Sequence, residues 1–256
     1  MRDHKPRRRQ FLGRALAASG TVLLAGCDRL SQSEWFTKTL SSAEKLTQAA
    51  QKLIVPRSAM AQEFSAADLS PEFRSNGTRN PENPAYQALA ANDFKDYQLK
   101  ISGLVAHPGV YSLADLRSLP SRTQITRHDC VEGWSAIGKW QGVQLSRLLE
   151  RAQPTPTAKY VVFYCADPMD ELGTFYYESI DMDDAYHPQT ILAYALNDEM
   201  LPIKNGAPIR VRVERQLGYK MAKYITEIRL VERFDTIAGG KGGYWEDRGY
   251  EWFAGI

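Results

Sequence analysis

The most reactive side chain in this sequence is a cysteine with polar and charged neighbours. Cys130 is one of three cysteines in 256 residues, and it lies in the segment 127–135, which reads RHDCVEGWS. A free structural cysteine is usually buried among apolar residues. Arg127 and His128 would instead favour the thiolate, which is the form that binds metals or attacks electrophiles. A cysteine that is merely packed at the end of a strand is the alternative.

The elements that must position this cysteine are short strands and short helices. Ile125 and Val131 predict a strand that runs into a turn, which Gly133 begins. Short strands are interspersed with short helices along the chain, which indicates an α+β fold of mixed sheets rather than regular βαβ winding. Strands are predicted at 97–101, 160–165, 191–196, 209–213 and 224–231. Helices are predicted at 31–54, at 113–118 with Ser112 as the cap, and at 145–152. Residues 55–85 are predicted to form a loop.

Two further segments combine a tight turn with a cation. Asn205 and the glycine after it predict a turn, and Pro208 fixes the entry into a strand that carries Arg210. An arginine can grip a phosphate with two hydrogen bonds. In the second segment, Gly218 permits close backbone approach and Lys223 adds a compact positive charge. The alternatives are a plain hairpin turn with a surface arginine, and a loop with solvated lysines.

The cysteine segment, together with Trp140, Gly142 and Leu145, resembles the cysteine segment of the sulfite-oxidase-fold molybdopterin enzymes. It is similar in particular to the periplasmic methionine sulfoxide reductase catalytic subunits. Residues 205–210 match the signature of that family, which is His or Asn, Gly, x, Pro, x, Arg. The resemblance runs roughly from residue 83 to the C-terminus. It implies a sulfite-oxidase-like molybdopterin-binding fold, Mo-molybdopterin as the cofactor, and Cys130 as catalytic residue and molybdenum ligand.

The same resemblance implies a set of cofactor-binding residues. In the family, an Asn-x-x-Tyr pair before the first strand contacts the pterin, a threonine at the place of Cys165 hydrogen-bonds the cofactor, and the segment ending at Lys223 binds its phosphate. A helix N-cap at Asn83 with Tyr86 packed on the core is the alternative for the first group, and core packing is the alternative for Cys165. The implied ligands are Asn83, Tyr86, Gln87, Cys165, Asn205, Arg210, Met221, Ala222 and Lys223.

The family resemblance implies a two-electron oxygen-atom transfer, and the residues after the cysteine bear on its substrate. Sulfite oxidases of this fold place arginines there to hold the sulfite anion, whereas this chain has VEGWS at 131–135. Glu132 would disfavour a dianion if it faced the pocket. Reduction of a sulfoxide or another S- or N-oxide, small or protein-bound, is therefore favoured, and methionine sulfoxide is one such target. Sulfite oxidation, or a lipid-anchored binding protein that has the fold but no turnover, is the alternative.

Net charge and cysteine spacing argue against nucleic-acid binding, a zinc site and covalent haem. The formal net charge of +2 does not indicate a nucleic-acid partner. No Cys-x-x-Cys or Cys-x-x-Cys-His motif occurs, so zinc and covalent haem are poorly supported. Electrons must then come from a partner such as a membrane b-type cytochrome. An oxidising compartment would permit a disulfide between Cys130 and Cys165.

The N-terminus predicts export. Basic residues precede an apolar run from 15 to 26, which is shorter than the about 20 residues that span a bilayer. Arg8 and Arg9 fit a twin-arginine signal, with an ordinary basic signal as the alternative. The ending LAGC resembles a lipobox, in which Cys27 would be lipidated and tether the protein to a membrane; cleavage without lipid is the alternative. The predicted organisation is a signal at 1–26, an N-terminal helix and linker at 27–82, and a periplasmic molybdopterin-binding oxidoreductase domain at 83–256.

The C-terminal segment 239–253 is rich in glycine and then in aromatic residues. Its glycines are not followed by Lys-Ser or Lys-Thr, so a nucleotide-binding loop is disfavoured. Aromatic clusters favour interfaces or pocket rims. The segment is therefore predicted to be a lid or a packing tail, and the sequence leaves both open.

Overall fold

A computed structural model describes residues 55–256, apart from residue 172, and eleven positions between 33 and 54. The chain divides into two compact units, residues 1–54 and 55–256. The predicted signal and Cys27 lie outside the described residues. In the first unit, the described positions from 35 to 54 are helical, and Thr39 Oγ1 donates to the carbonyl of Trp35 at 2.7 Å, one helical turn back. These positions agree with the predicted helix at 31–54.

The second unit contains ten strands and four short α-helices in its described residues. None of the described helices is long and apolar enough to span a bilayer. In chain order the strands are β1 (Gln98–Gly103), β2 (Gly109–Ser112), β3 (Ser121–Cys130), β4 (Trp134–Gln144), β5 (Tyr160–Pro168), β6 (Phe175–Asp181), β7 (Ile191–Leu196), β8 (Glu199–Met200), β9 (Arg210–Arg212) and β10 (Ile225–Val231), and the helices are α1 (Pro84–Ala91), α2 (Leu113–Ser118), α3 (Leu145–Ala152) and α4 (Met182–Ala185).

The strands form two sheets. One five-stranded sheet has the order β2-β1-β10-β5-β6, and its only parallel pair among the described strands is β1 with β10. The other sheet has the order β3-β4-β7-β8, with β9 paired to β7, and all its pairs are antiparallel. The predicted α+β fold of mixed sheets with short helices is confirmed.

The two helices predicted after residue 100 begin and end at the predicted residues, because capping residues and leucine spacing within each helix determine these bounds. Ser112 and Asp115 form a reciprocal capping box at the start of α2, with Asp115 N donating to Ser112 Oγ at 3.1 Å. In α3 the apolar residues recur with helical spacing and all four are fully buried. Each buried leucine contributes roughly 1.5–3 kcal/mol to stability. The buried face of α3 is Leu145, Leu148, Leu149 and Ala152.

Strand predictions were less complete. The predicted strands at 97–101, 160–165, 191–196, 209–213 and 224–231 correspond to β1, β5, β7, β9 and β10, with shifts at their ends. The strand predicted before the cysteine turn corresponds to β3, whereas β2, β4, β6 and β8 were not predicted. In β4 the alternating burial is hidden by glycines, of which Gly142 is required because a Cβ there would lie 2.2 Å from the carbonyl oxygen of Leu192. β6 is buried along most of its length, so it lacks the alternation that marks a half-exposed strand.

Candidate functional site

The cysteine lies at the end of a hairpin, as predicted. β3 and β4 pair from Ser121 with Val143 to Cys130 with Trp134. The backbone turns between them at Gly133, whose φ of 83° is in the left-handed region that glycine favours. Cys130 is only 8% exposed, yet it borders an open cleft. A long, rigid hairpin therefore presents the thiol at one edge of its sheet.

The expected activation of the thiol by Arg127 and His128 is wrong for this structure. Arg127 is half-exposed and pairs with Asp129 at 2.9 Å. Burial raises the pKa of Cys130, the Glu132 carboxylate raises it further, and only a backbone hydrogen bond from Glu132 and the more distant Arg74 and Arg210 lower it. A bound metal deprotonates a coordinating thiol directly. The site thus favours a thiol that ionises on metal binding rather than a free thiolate nucleophile.

His128 is a buried neutral group beneath the cysteine. Burial, followed by Arg212, lowers its pKa well below the ordinary range. Its Nδ1 accepts a hydrogen bond from Arg212 Nη1 at 2.9 Å, which leaves the proton on Nε2. Gly218 packs against this ring, and a Cβ there would lie 2.3 Å from Nε2. The close approach that the sequence predicted for Gly218 is thus made to the cysteine strand itself.

The cleft beside Cys130 brings together parts of the chain that are distant in sequence. Its empty volume is about 610 Å³, including space open to solvent. Of the predicted site residues, Cys130, Met221 and Lys223 line it. The other lining residues are Asn76, Gly77, Thr78, Val131, Glu132, Asp167, Met169, Tyr176, Gly218, Tyr219, Trp245 and Tyr250.

Arg210 lies behind the cleft and joins the two predicted phosphate segments. Its side chain is fully buried over the ring of Trp140, at 5.2 Å. Nη1 donates to the carbonyl of Asn205 and Nη2 to that of Met221, both at 3.1 Å. Its Nε has no partner among the described residues. The two nitrogens expected to grip a phosphate are therefore engaged by backbone carbonyls.

Two buried cations beside the cleft lack carboxylate partners in the described part of the chain. Arg212 is neutralised by Glu214 at 2.6 Å, whereas Arg210 and Lys223 form no ion pair there. Lys223 Nζ donates to the carbonyls of Asn76, at 2.6 Å, and Thr78. Burial, followed by the charge of Arg210, lowers its pKa to about 7. The charge of Asp167 offsets these effects only in part. Buried charge with so little counter-charge is unfavourable, so this corner would gain free energy from an anion and fits a phosphate-bearing cofactor.

The group before β1 makes protein contacts in this structure. Asn83 Oδ1 caps α1 by accepting from Ala85 N at 2.9 Å. Tyr86 is buried and donates to the carbonyl of Ala207 at 2.7 Å, and Gln87 Nε2 donates to Asn80 Oδ1 at 2.8 Å. The N-cap and core-packing alternative is thus observed, and cofactor contact by these residues stays a prediction. Tyr86 nonetheless connects α1 to the segment that carries Arg210.

The remaining predicted ligands are buried away from the cleft lining. Cys165 and Ala222 belong to the main hydrophobic core, and Asn205 is 2% exposed in the turn before β9. Cys130 and Cys165 are both free thiols, so the permitted disulfide is absent from the described residues. These positions support the cleft from behind, and their contact with a cofactor stays a prediction.

Asp167 is a cleft residue that the sequence did not single out. Its side chain is 4% exposed, and its Oδ1 has no hydrogen-bond partner among the described residues. Burial raises its pKa to about 6, against the attraction of Lys223. The available signal was its place just after the strand predicted at 160–165, since functional residues often follow strand ends. Most other unpredicted lining residues come from the 55–85 loop, from β6 and from the C-terminal segment, while Met169 follows β5 and Tyr219 follows Gly218.

Asp167→Asn is expected to stabilise the cofactor-free protein in a pH-dependent way. The folded-state pKa near 6 exceeds the ordinary 3.8, so folding favours the protonated form and the free energy of unfolding falls as pH rises through this window. The neutral amide removes that penalty. Urea unfolding should show a gain of at most about 3 kcal/mol at pH 7.5 and little near pH 4. Asp198→Asn, at a carboxyl that is 74% exposed, is the control. An equal gain at both pH values would contradict the assignment.

Comparison with known proteins identifies the family. The oxidoreductase molybdopterin-binding domain matches residues 86–236. The chain is 35% identical over 250 residues to a protein of Azospira oryzae named for subunit YedZ1 of a protein-methionine-sulfoxide reductase, covering 98% of this chain and 88% of that one. It is 32% identical over 259 residues to the protein-methionine-sulfoxide reductase catalytic subunit MsrP of Burkholderia mallei, covering 96% and 76%.

A solved structure is also similar. The sulfane dehydrogenase SoxCD from Paracoccus pantotrophus superposes with a TM-score of 0.49 at 25% identity, over 54% of this chain and 39% of that one. The domain match and the nearly full-length relatives agree with a buried thiol and uncompensated cations around one cleft. The chain therefore belongs to the family of oxidoreductases with a molybdopterin-binding domain, and it is a molybdenum-dependent enzyme of that family whose cofactor is Mo-molybdopterin.

Proposed function

We propose that this protein reduces a sulfoxide or another neutral S- or N-oxide, with Cys130 as the molybdenum ligand. The observation that carries the proposal is that Cys130 and Lys223, the latter close to the uncompensated charge of Arg210, border the same cleft. When bound, the cofactor supplies a two-electron redox centre for oxygen-atom transfer. The hairpin holds the thiol, Lys223 attracts the phosphate end, and the partly closed cleft limits water.

The charges around the thiol favour a neutral substrate over sulfite. Glu132 lines the cleft, and its Oε2 accepts a hydrogen bond from Trp134 Nε1 at 2.9 Å. Among the described lining residues the only cationic side chain is Lys223, which we assign to the phosphate. Arg74 lies over the ring of Trp134 at 5.3 Å, outside the lining. A sulfite dianion would meet the Glu132 carboxylate without a cation to hold it, which opposes its binding.

The named relatives support methionine sulfoxide as the substrate. Both are named as protein-methionine-sulfoxide reductase subunits. A sulfoxide is reduced to a thioether and water with two electrons and two protons, which repairs an oxidised methionine. The sequence carries no haem-attachment motif. We therefore infer that the electrons come from a membrane partner such as a b-type cytochrome.

We further propose that the protein works in the periplasm. The support is the sequence at the N-terminus: a twin-arginine signal at 1–26 and a lipobox cysteine at Cys27, followed by a helix and linker at 27–82 and the catalytic domain at 83–256. Lipidation of Cys27 would tether the enzyme close to a membrane electron donor. Cell fractionation of Cys27→Ala tests this point, since recovery of the processed variant in the membrane fraction would exclude a lipid anchor.

The function is tested by combining metal analysis with a substrate screen. The exported protein should contain about one molybdenum per chain and oxidise a reduced viologen dye when given methionine sulfoxide. Sulfite with an electron acceptor is the parallel assay. Faster turnover of sulfite than of any oxide would overturn the proposal, and a protein without molybdenum from a cofactor-competent host would be a binding protein without turnover.

A further inference from the structure

The C-terminal segment is fastened to the domain by a buried ionic cluster. Lys220 Nζ donates to Glu178 Oε1 at 2.5 Å and to Glu246 Oε1 at 2.6 Å, and each of these side chains is at most 1% exposed. Burial, together with the charge of Glu246, raises the pKa of Glu178 well above its ordinary value, against the attraction of Lys220. Both carboxyl groups therefore bind the same buried ammonium group, and the cluster holds Glu246 in place.

The glycines before Glu246 allow the segment to pack without a gap. A Cβ at Gly243 would lie 2.0 Å from Glu246 Oε2, and one at Gly242 would lie 2.6 Å from the Trp252 ring. Tyr244 N donates to the carbonyl of Tyr177 on β6 at 3.0 Å. Of the two predicted roles for the segment, these contacts favour a packing tail over a lid. A fixed tail can present side chains in a constant geometry.

The tail presents an aromatic surface to the cleft that Cys130 also lines. Trp245 and Tyr250 both line the cleft and stack at 5.4 Å, and Tyr250 meets Tyr219 edge-on at 5.2 Å. Tyr219 follows Gly218, which packs against His128 on the cysteine strand. We call Tyr219, Trp245 and Tyr250 the aromatic wall.

Polar residues also line the cleft. Lys223 is bound there to the backbone of Asn76 and Thr78, and Asp167 lies near the ammonium group. The hydroxyl of Tyr219 donates to the carbonyl of Glu251 at 2.6 Å, so this group is directed to the tail. With the phosphate end assigned to Lys223, the aromatic wall is the main apolar surface left for a substrate, and Glu132 is the charged group of the lining that acts on the thiol.

We propose that the aromatic wall determines substrate specificity by receiving the apolar substituent of the oxide, an inference that rests on the proposed function. Aromatic rings attract thioether sulfur and alkyl groups, which are the groups on either side of a sulfoxide oxygen. Trp245 and Tyr250 lie beyond residue 236, where the match to the family domain ends. The wall therefore selects sulfoxides with large apolar substituents over small ones.

The test compares methyl phenyl sulfoxide with dimethyl sulfoxide, using reduced benzyl viologen as the electron donor. Trp245→Ala and Tyr250→Ala should each raise KM for methyl phenyl sulfoxide about tenfold, as expected for lost apolar contacts. Their kcat should stay within about twofold, and KM for dimethyl sulfoxide should change little. Trp245→Phe should recover most of the loss. Trp35→Ala, at a tryptophan in the other unit that is 62% exposed, is the matched control.

Two further readouts separate this inference from the proposed function. Molybdenum per chain should be unchanged in the variants, and calorimetry should show about tenfold weaker binding of methyl phenyl sulfide, the product. If the molybdenum-loaded parent reduces neither these sulfoxides nor methionine sulfoxide nor any N-oxide, the proposed function fails, and calorimetry with methyl phenyl sulfoxide still tests the wall. Equal changes for both substrates, unchanged binding, or loss of molybdenum from Trp245→Phe would each overturn the inference.

Discussion

Cys130→Ser is expected to abolish turnover while leaving the protein folded and exported. Cys130 carries the only thiol in the cleft lining of the described residues, and a serine hydroxyl is a much poorer ligand for molybdenum. Mutation of even an outer-shell partner of a metal ligand typically costs about 10- to 100-fold in metal affinity or activity. Loss of a direct ligand should therefore lower turnover at least about a hundredfold. Steady-state assay with reduced viologen measures the loss.

The fold and the metal content of this variant must be measured together with its activity. The exchange of sulfur for oxygen is nearly isosteric, so the urea midpoint should shift little. Molybdenum can remain in part, because the phosphate corner around Lys223 is untouched. Cys165→Ser is a useful comparison, since this thiol is also free but lies in the hydrophobic core; its main effect should be on the free energy of unfolding. Full activity in Cys130→Ser would exclude the ligand assignment.

Local signals account for the parts of the fold that could be predicted. The capping box at Ser112 and the leucine spacing of α3 act within one or two helical turns, so they are visible without tertiary context. The hairpin turn at Gly133 is equally local. By contrast, β6 is nearly all buried and β4 contains glycines that serve close packing. Their identity as strands depends on neighbouring strands from other parts of the chain, which no short window of sequence contains.

In the site, too, the sequence indicates which residue types matter but not where their side chains point. Sequence motifs drew attention to Cys130, Arg210 and Lys223, and all three lie in or beside one cleft. They did not reveal that the Arg210 Nη groups bind backbone carbonyls, because those carbonyls belong to two separate turns. For a similar reason, the sequence does not tell whether the Glu132 side chain faces the pocket. Its orientation toward the cleft follows from the β3–β4 turn and from its hydrogen bond to Trp134.

Lys223→Ala is expected to lose most of the cofactor while keeping the fold. Hydrogen bonds to charged groups contribute about 1.5–3 kcal/mol each, so losing this cation should weaken phosphate binding by about tenfold to a hundredfold. Molybdenum content and the fluorescence of the oxidised pterin, each per chain, measure the loss. Lys159→Ala removes the same charge from an exposed position, 60% accessible at the start of β5, and should load normally.

Arg210→Ala should lower the stability of the cofactor-free protein more than Lys223→Ala does, because the Arg210 guanidinium binds two buried backbone carbonyls. Removing the guanidinium leaves the carbonyls of Asn205 and Met221 without their donors and opens a cavity beside Trp140. Each unsatisfied buried group costs about 1–3 kcal/mol, so this variant should lose stability as well as cofactor. Urea unfolding of the cofactor-free proteins separates the two effects. Full cofactor loading of the Lys223→Ala protein would show that the phosphate does not bind at this corner of the cleft. Unchanged stability of the Arg210→Ala protein would show that Arg210 serves cofactor binding alone.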